Sequence, residues 1–233
     1  MYSKADTHMH TTYSDGIMSP EEMIDYIADH TDLSVIAITD HDTAEGAFVA
    51  QAYAKRHTPQ LEVIIGQEVT TRQGDVVGLF VTSTLPAFET AHEAIAAIHA
   101  QGGLAVAVHP FSRLSTLNNM KGLGTKIFEL PLDAIEVRNG FPSNLIANPM
   151  STYLNRQWGQ RLAELGGSAS HVPFTVGQAY TRFPGKTAKD FRRAVENRTV
   201  EARGSLWTGP SLLRLFNAVL KRGWSPHEQI FSE

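Results

Sequence analysis

Apolar residues follow two spacings along this chain, and they alternate. Short, nearly continuous runs such as Val35-Ile36-Ala37-Ile38 and Leu104-Ala105-Val106-Ala107-Val108 fit strands buried on both faces. On that pattern the core strands fall at 5–10, 35–40, 62–68, 104–109, 134–138 and 167–171. Between them lie stretches with helical periodicity and clear punctuation. Ser19-Pro20-Glu21-Glu22 is a capping box with proline at the first helical position, opening a helix that turns Met23, Ile24 and Ile27 inward. A helix from Thr90 carries Ala94, Ile95 and Ile98 and stops at Gly102-Gly103. Thr187-x-x-Asp190 marks another helix start, and 210–222 ends at Gly223. Residues 112–132 and 139–152 read as longer loops. Strands alternating with helices predict an α/β fold of parallel βα units, in one domain with no linker.

Polar residues with metal-binding chemistry gather where those strands end. In Asp6-Thr7-His8-Met9-His10, strand alternation sends His8 and His10 to one side, and Asp15 follows in Ser14-Asp15-Gly16. Asp40-His41-Asp42 follows the second run, Glu68 the third, His109 the fourth, and His171 comes after Gly167-Ser168. In a parallel barrel such strand ends share one face, where active sites form. The remaining histidines (His30, His57, His92, His99 and His227) fall in helices, helix ends or the tail, and are assigned no role.

Composition narrows the chemistry. The chain has 233 residues and no cysteine, so a metal must rest on imidazole and carboxylate, donors that suit Zn, Mn or Fe. The net charge of −4 gives no general attraction to nucleic acid. The charge is uneven: residues 1–68 hold 12 acids against 3 bases, and part of that excess lies at the candidate site, where a cation would offset it. The basic stretch 182–222 reads as a solvated helix face. No apolar run is long enough to span a bilayer and the first residues do not resemble a signal peptide, so a cytoplasmic location is expected.

Taken together, Asp6-Thr7-His8-Met9-His10, Ser14-Asp15-Gly16, Thr39-Asp40-His41-Asp42-Thr43, Gly66-x-Glu68, His109-Pro110-Phe111, Glu136-Val137-x-Asn139-Gly140 and Gly167-Ser168-x-x-His171 resemble the polymerase-and-histidinol-phosphatase (PHP) superfamily. The resemblance implies a distorted (β/α)7 barrel over residues 1–205, with 206–233 as a helical tail packed on it. It also implies two or three divalent metal ions and hydrolysis of phosphate esters. Carried onto this chain, His8, His10 and Glu68 would hold one ion; Glu68 would bridge to a second, shared with His109 and, as a weaker candidate, Asn139; Asp15, His41 and His171 would hold a third. Asp40 would orient or assist. Two positions depart from the family pattern: the usual Gly-Ser-Asp-Ala-His reads Gly167-Ser168-Ala169-Ser170-His171, so a ligand aspartate is missing, and Asp75 stands where many short relatives have histidine.

The expected enzyme is therefore a phosphoesterase acting through a metal-bound hydroxide on a small phosphorylated substrate or short nucleotide. Arg113 and Arg138 are expected as phosphate clamps on loops at the same face. No long nucleic acid and no membrane partner are expected, the interval between Glu68 and His109 being too short for an inserted capping domain. The alternatives are a catalytically weakened metal-binding scaffold or regulatory module, motivated by Ala169, and hydrolysis of a C–N or other non-phosphate bond. In the tail, Leu212, Leu213, Leu215, Phe216, Val219 and Leu220 predict an apolar helix face that packs on the barrel or forms a dimer contact, leaving a monomer or homodimer.

Overall fold

The computed structural model describes residues 1–112, 121–157 and 162–222. Nine strands form one mixed sheet: β1 (Tyr2–Asp6), β2 (Val35–Ile38), β3 (Glu62–Val69), β4 (Val76–Leu79), β5 (Leu104–Ala107), β6 (Ala134–Asn139), β7 (Ala163–Gly167), β8 (Ala179–Pro184) and β9 (Glu201–Gly204). Their order in the sheet is β7-β6-β5-β4-β3-β2-β1-β8-β9. The first seven run round a nearly closed barrel, and one apolar cluster draws a residue from each: Ala5, Val35, Ile64, Val77, Leu104, Ala134 and Leu165. The seam between β7 and β1 is bridged at Met9 and Ser170, with His10 N donating to Ser170 O at 2.9 Å. The expected α/β barrel is thus the observed fold.

Helices cover the outside, at the four predicted places and at two that the spacing did not mark, 45–57 and 147–157, the second taking up part of the stretch read as a loop. They are α1 (Pro20–His30), α2 (Glu45–His57), α3 (Ala91–Ala100), α4 (Ala147–Gln157), α5 (Ala188–Glu196) and α6 (Gly209–Arg222). The capping boxes at Ser19/Glu22, Thr90/Glu93 and Thr187/Asp190 all form, each satisfying backbone N–H groups that a helix start leaves open. Met23, Ile24 and Ile27 of α1 and Ile95 and Ile98 of α3 join the cluster between helices and sheet, with Ile36 and Ile38 from the outer face of β2. Helix α5 closes the lower end: Phe191 is fully buried edge-on to Phe183, ring centroids 5.4 Å apart, and Ala188 N donates to Glu62 at the start of β3.

Three strands escaped the periodicity. β4 pairs antiparallel with both β3 and β5, joined to β3 by a turn rather than a helix, so the barrel is not built of parallel units throughout. β8 and β9 form an antiparallel extension beyond β1. Two predicted strands are displaced. β1 ends at Asp6, before its histidines. β7 ends at Gly167, because Ala169 adopts a positive φ of 49°. Gly166 looks like a turn residue but is required in the strand: a Cβ there would lie 2.4 Å from Tyr180 O on β8. In the tail, Ser211 is buried whereas Leu212 and Leu213 are 40% and 64% exposed, so these two leucines do not pack on the barrel as expected. The side chains of Leu215, Phe216, Val219 and Leu220 lie outside the described residues. Among the described residues no helix is long and apolar enough to cross a membrane.

Phe183→Ala should lower stability by about 3–5 kcal/mol, the usual result of emptying a fully buried aromatic site. Urea denaturation followed by far-UV circular dichroism measures it, and a loss below about 1 kcal/mol would show that the lower end is not a packed plug.

Candidate metal centre

Eight histidine, aspartate and glutamate side chains converge on the upper end of the barrel. Glu68 is the last inward-facing residue of β3. His8 Nε2 lies 3.1 Å and His10 Nε2 3.4 Å from Glu68 Oε2, and His41 Nδ1 is 3.7 Å from the same oxygen. His109 Nε2 is 3.0 Å from Glu68 Oε1. Asp15 forms a second focus: His171 Nε2 is 3.1 Å from Oδ1, His10 Nδ1 is 3.7 Å from the same oxygen, and His41 Nε2 is 4.0 Å from Oδ2. Asp75, from the β3–β4 turn, joins Glu68 and His109.

Backbone pairing explains why residues distant in sequence meet here. Asp42 N donates to Glu68 O at 2.8 Å and Glu68 N to Asp40 O at 3.1 Å, which aligns the end of β2 with β3 and sets His41 beside Glu68. Asp40 accepts from Thr11 N, Thr11 Oγ1 and Ser14 Oγ at 2.6–2.7 Å. It therefore fastens the turn that carries Asp15 and does not face the cup. Asp6 does similar work at the seam, accepting from Ser168 N at 2.9 Å and Gly177 N at 2.8 Å. Burial pushes its carboxyl up to about 6.

The electrostatics are those of a dry cup crowded with ionisable groups. Burial alone would lower the His8 imidazole, but the Glu136 and Glu68 carboxylates on either side hold it well above the ordinary histidine range. His10 goes the other way, pushed well down by burial and by the neighbouring His171 and His41. Burial opposes ionisation of Glu68 and Asp15, yet the surrounding imidazoles hold both carboxylates well below their usual range. Asp75 has less compensation: burial and the Glu68 charge push it up to about 8.

These residues fit divalent cations. Donor atoms around one ion at about 2.1 Å sit roughly 3–3.5 Å from each other, and the contacts around Glu68 and Asp15 span 3.0–4.0 Å, within a small adjustment of that spacing. Three groups bring one donor atom from each member within 4.8 Å of every other: His10, Asp15, His41 and His171; His8, His10 and Glu68; and Glu68, Asp75 and His109. His10 Nδ1 and His109 Nδ1 are buried without a hydrogen-bond partner, an expensive state that a bound cation would relieve. A cation would also offset the repulsion between Glu68 and Asp75.

Other residues named from sequence fall elsewhere. Asn139 is at the cup wall, but its Oδ1 accepts from Phe141 N (2.8 Å) and Asn144 Nδ2 (3.0 Å), so the atom expected as a ligand is already engaged. Arg138 does not clamp this face. The β6–β7 register shifts between Glu136 and Arg138, and this bulge turns the arginine outward to a surface cleft with Pro149, Thr152 and Tyr153 of α4. Arg113 lies outside the described residues. Ala169 is buried and brings no donor.

Two residues that sequence reasoning left without a role hold the cup in shape. Glu136 Oε1 is 3.0 Å from His8 Nδ1, and its Oε2 accepts from His109 N (2.9 Å) and Asn139 Nδ2 (2.8 Å). It thereby fixes the His8 ring with Nε2 toward Glu68 and supports His109 at an unusual positive φ of 31°. Its signal was a glutamate at an inward position, flanked by Ile135 and Val137. Trp207, fully outside the motif region, donates from Nε1 to Ser168 O (2.8 Å) and from its backbone N to Gly140 O (2.7 Å), tying two rim loops together.

A nearly closed α/β barrel with this cup at its strand ends has the fold of the PHP-like phosphoesterases. The PHP domain model matches residues 6–183, and the chain belongs to that family. Its similarity to the uncharacterized protein MJ1587 of Methanocaldococcus jannaschii is 36% identity over 156 residues, 62% of this chain and 86% of that protein. A 5'-3' exoribonuclease of Haemophilus influenzae is 38% identical over 90 residues, 37% of this chain and 32% of the enzyme. Among solved structures, a two-domain protein of Bacteroides vulgatus containing a predicted PHP-like metal-dependent phosphoesterase aligns with TM-score 0.72 at 20% identity, covering 94% of this chain and 70% of that one. Pyrococcus furiosus endonuclease Q aligns with TM-score 0.57 at 16% identity over 84% of this chain and 56% of its own. At such identities the two structures speak for the fold alone.

Glu136→Gln must present an N–H to one of three donors and should weaken metal binding about 10–100-fold. Calorimetric titration of the metal-free variant reads this, with circular dichroism confirming the fold. Unchanged affinity would remove Glu136 from the support of His8.

Proposed function

We propose that this protein is a metal-dependent phosphoesterase that hydrolyses a small phosphate ester or a terminal phosphodiester of a short nucleotide. The observation that carries the reading is the convergence of His8, His10, Asp15, His41, Glu68, Asp75, His109 and His171 at one end of the barrel. Divalent cations bound there would activate water and neutralise charge on a phosphoryl group. Glu68 holds the positions on either side of it in register, through an oxygen toward His109 and an oxygen toward His8, His10 and His41. Glu136 keeps His8 in the tautomer that offers Nε2 to the cup. Asp40 and Asp6 fix the loops through backbone N–H groups, so that Asp15 and His171 meet with little reorganisation.

His41 and His171 are 15% and 12% exposed while His8, His10 and His109 are almost fully buried, so substrate approaches from the Asp15 side. The 40 residues between Glu68 and His109 are taken up by β4, α3, β5 and their connections, which leaves no room in that interval for an inserted capping domain. Arg138 faces a separate surface cleft, and cations bound in the cup would meet the charge of a phosphate. An end-bound or small substrate suits this arrangement, and the exoribonuclease name of one sequence relative supports a nucleotide as part of that substrate.

Ala169 favours one competing reading, a metal-holding module with little catalysis, because the family's aspartate is absent from a buried position. The two readings separate in one assay. Protein loaded with Mn or Zn should release phosphate or nitrophenol from aryl phosphate mono- and diesters, and His41→Ala should reduce turnover at least 100-fold. A folded, metal-loaded protein inactive on both, with activity appearing in Ala169→Asp, would replace the enzyme with the module.

A further inference from the structure

The donors of the cup are unevenly distributed. At the Asp15 end they are three imidazoles (His10, His41 and His171) and one carboxylate; at the other end they are two carboxylates (Glu68 and Asp75) and one imidazole (His109). Asp75 creates that asymmetry. Imidazole suits borderline ions such as Zn(II), whereas carboxylate oxygens suit harder ions such as Mn(II). The space between the ends is poor in donors of its own. His10 faces both ways, with Nδ1 3.7 Å from Asp15 and Nε2 3.4 Å from Glu68, and Ala169 offers nothing. Once the two ends are filled, a middle ion would be left with His8 Nε2 and the second oxygen of Glu68, 3.1 Å apart, a pair too few to hold it as firmly as either end.

We infer that the centre takes two unlike cations, a Zn(II)-type ion among His10, Asp15, His41 and His171 and a Mn(II)-type ion among Glu68, Asp75 and His109. Asp75 is the residue that sets the difference. Zn(II) outcompetes Mn(II) at most nitrogen and oxygen sites, so the distinction is one of degree: the margin is wide at the imidazole end and narrow at the carboxylate end. The inference rests on the phosphoesterase reading for its biological sense, but its test needs no turnover.

Metal-free protein is given one equivalent of Zn(II), then one of Mn(II), desalted, and examined by elemental analysis and electron paramagnetic resonance. The expected result is one zinc and one manganese per chain, with the six-line spectrum of an isolated Mn(II). Exchange-coupled Mn(II) pairs would overturn it, since they require some chains to hold two manganese ions and others two zinc. So would three ions per chain when both metals are supplied in excess. Asp75→His should raise the zinc-over-manganese preference of the second position at least tenfold and diminish the six-line signal. Asp75→Asn, which keeps the shape and removes the charge, should retain the zinc and weaken manganese at least tenfold. Wild-type selectivity in the folded variants would overturn the assignment of Asp75. A protein with both unlike ions but no turnover on phosphate esters sustains this inference and defeats the phosphoesterase reading; an active protein with two like ions does the reverse.

Discussion

Glu68 stands at the end of β3 with four imidazoles within 3.0–3.7 Å of its two oxygens. An ionised carboxylate at 1% exposure is affordable only if opposite charge surrounds it, and the rest of the barrel's upper end is arranged to bring that charge in. The β2–β3 ladder delivers His41, β5 delivers His109, and the segment after β1 delivers His8 and His10. These four imidazoles arrive on three separate segments, so the cup exists only when the barrel is closed. Fold and site are one structure.

The antiparallel strand β4 is the main departure from a regular parallel barrel, and it has a local purpose. A direct β3–β4 turn replaces a helical crossover and puts Asp75 immediately beside Glu68, with the Lys121 backbone N–H donating to its carboxylate at 3.1 Å. A crossover helix would carry the chain away to the outer layer at this point. The arrangement trades regularity for a second carboxylate in the dry interior, held there by short connections on both sides.

Much of this was legible in the sequence because it depended on local rules. Continuous apolar runs marked β2 and β5, capping signals marked α1 and α5, apolar spacing ending at Gly102-Gly103 marked α3, and the His8-x-His10 alternation survived although the strand ends before it. The failures came where a distant partner decides. Val76–Leu79 is only four residues long and is a strand because β3 and β5 flank it. The strand read at 167–171 lies instead at Ala163–Gly167, where neighbouring backbone and the His8 side chain approach Gly166 and Gly167 too closely for a Cβ. The bulge that reverses Arg138 and the hydrogen bonds that occupy Asn139 leave no mark in residue spacing. Glu136 was visible as a polar residue between Ile135 and Val137, but its three partners come from three segments.

Trp207 ties the far segment of the chain to this chemistry. Its indole and backbone N–H reach the loops after β7 and β6, and Phe141 stacks edge-on against it with centroids 4.8 Å apart. The PHP domain match ends at residue 183. Boundaries drawn from family resemblance and boundaries drawn from mechanics therefore differ in this protein, and a fragment trimmed to the matched region would keep every donor while discarding the crossbeam between two of the loops that aim them.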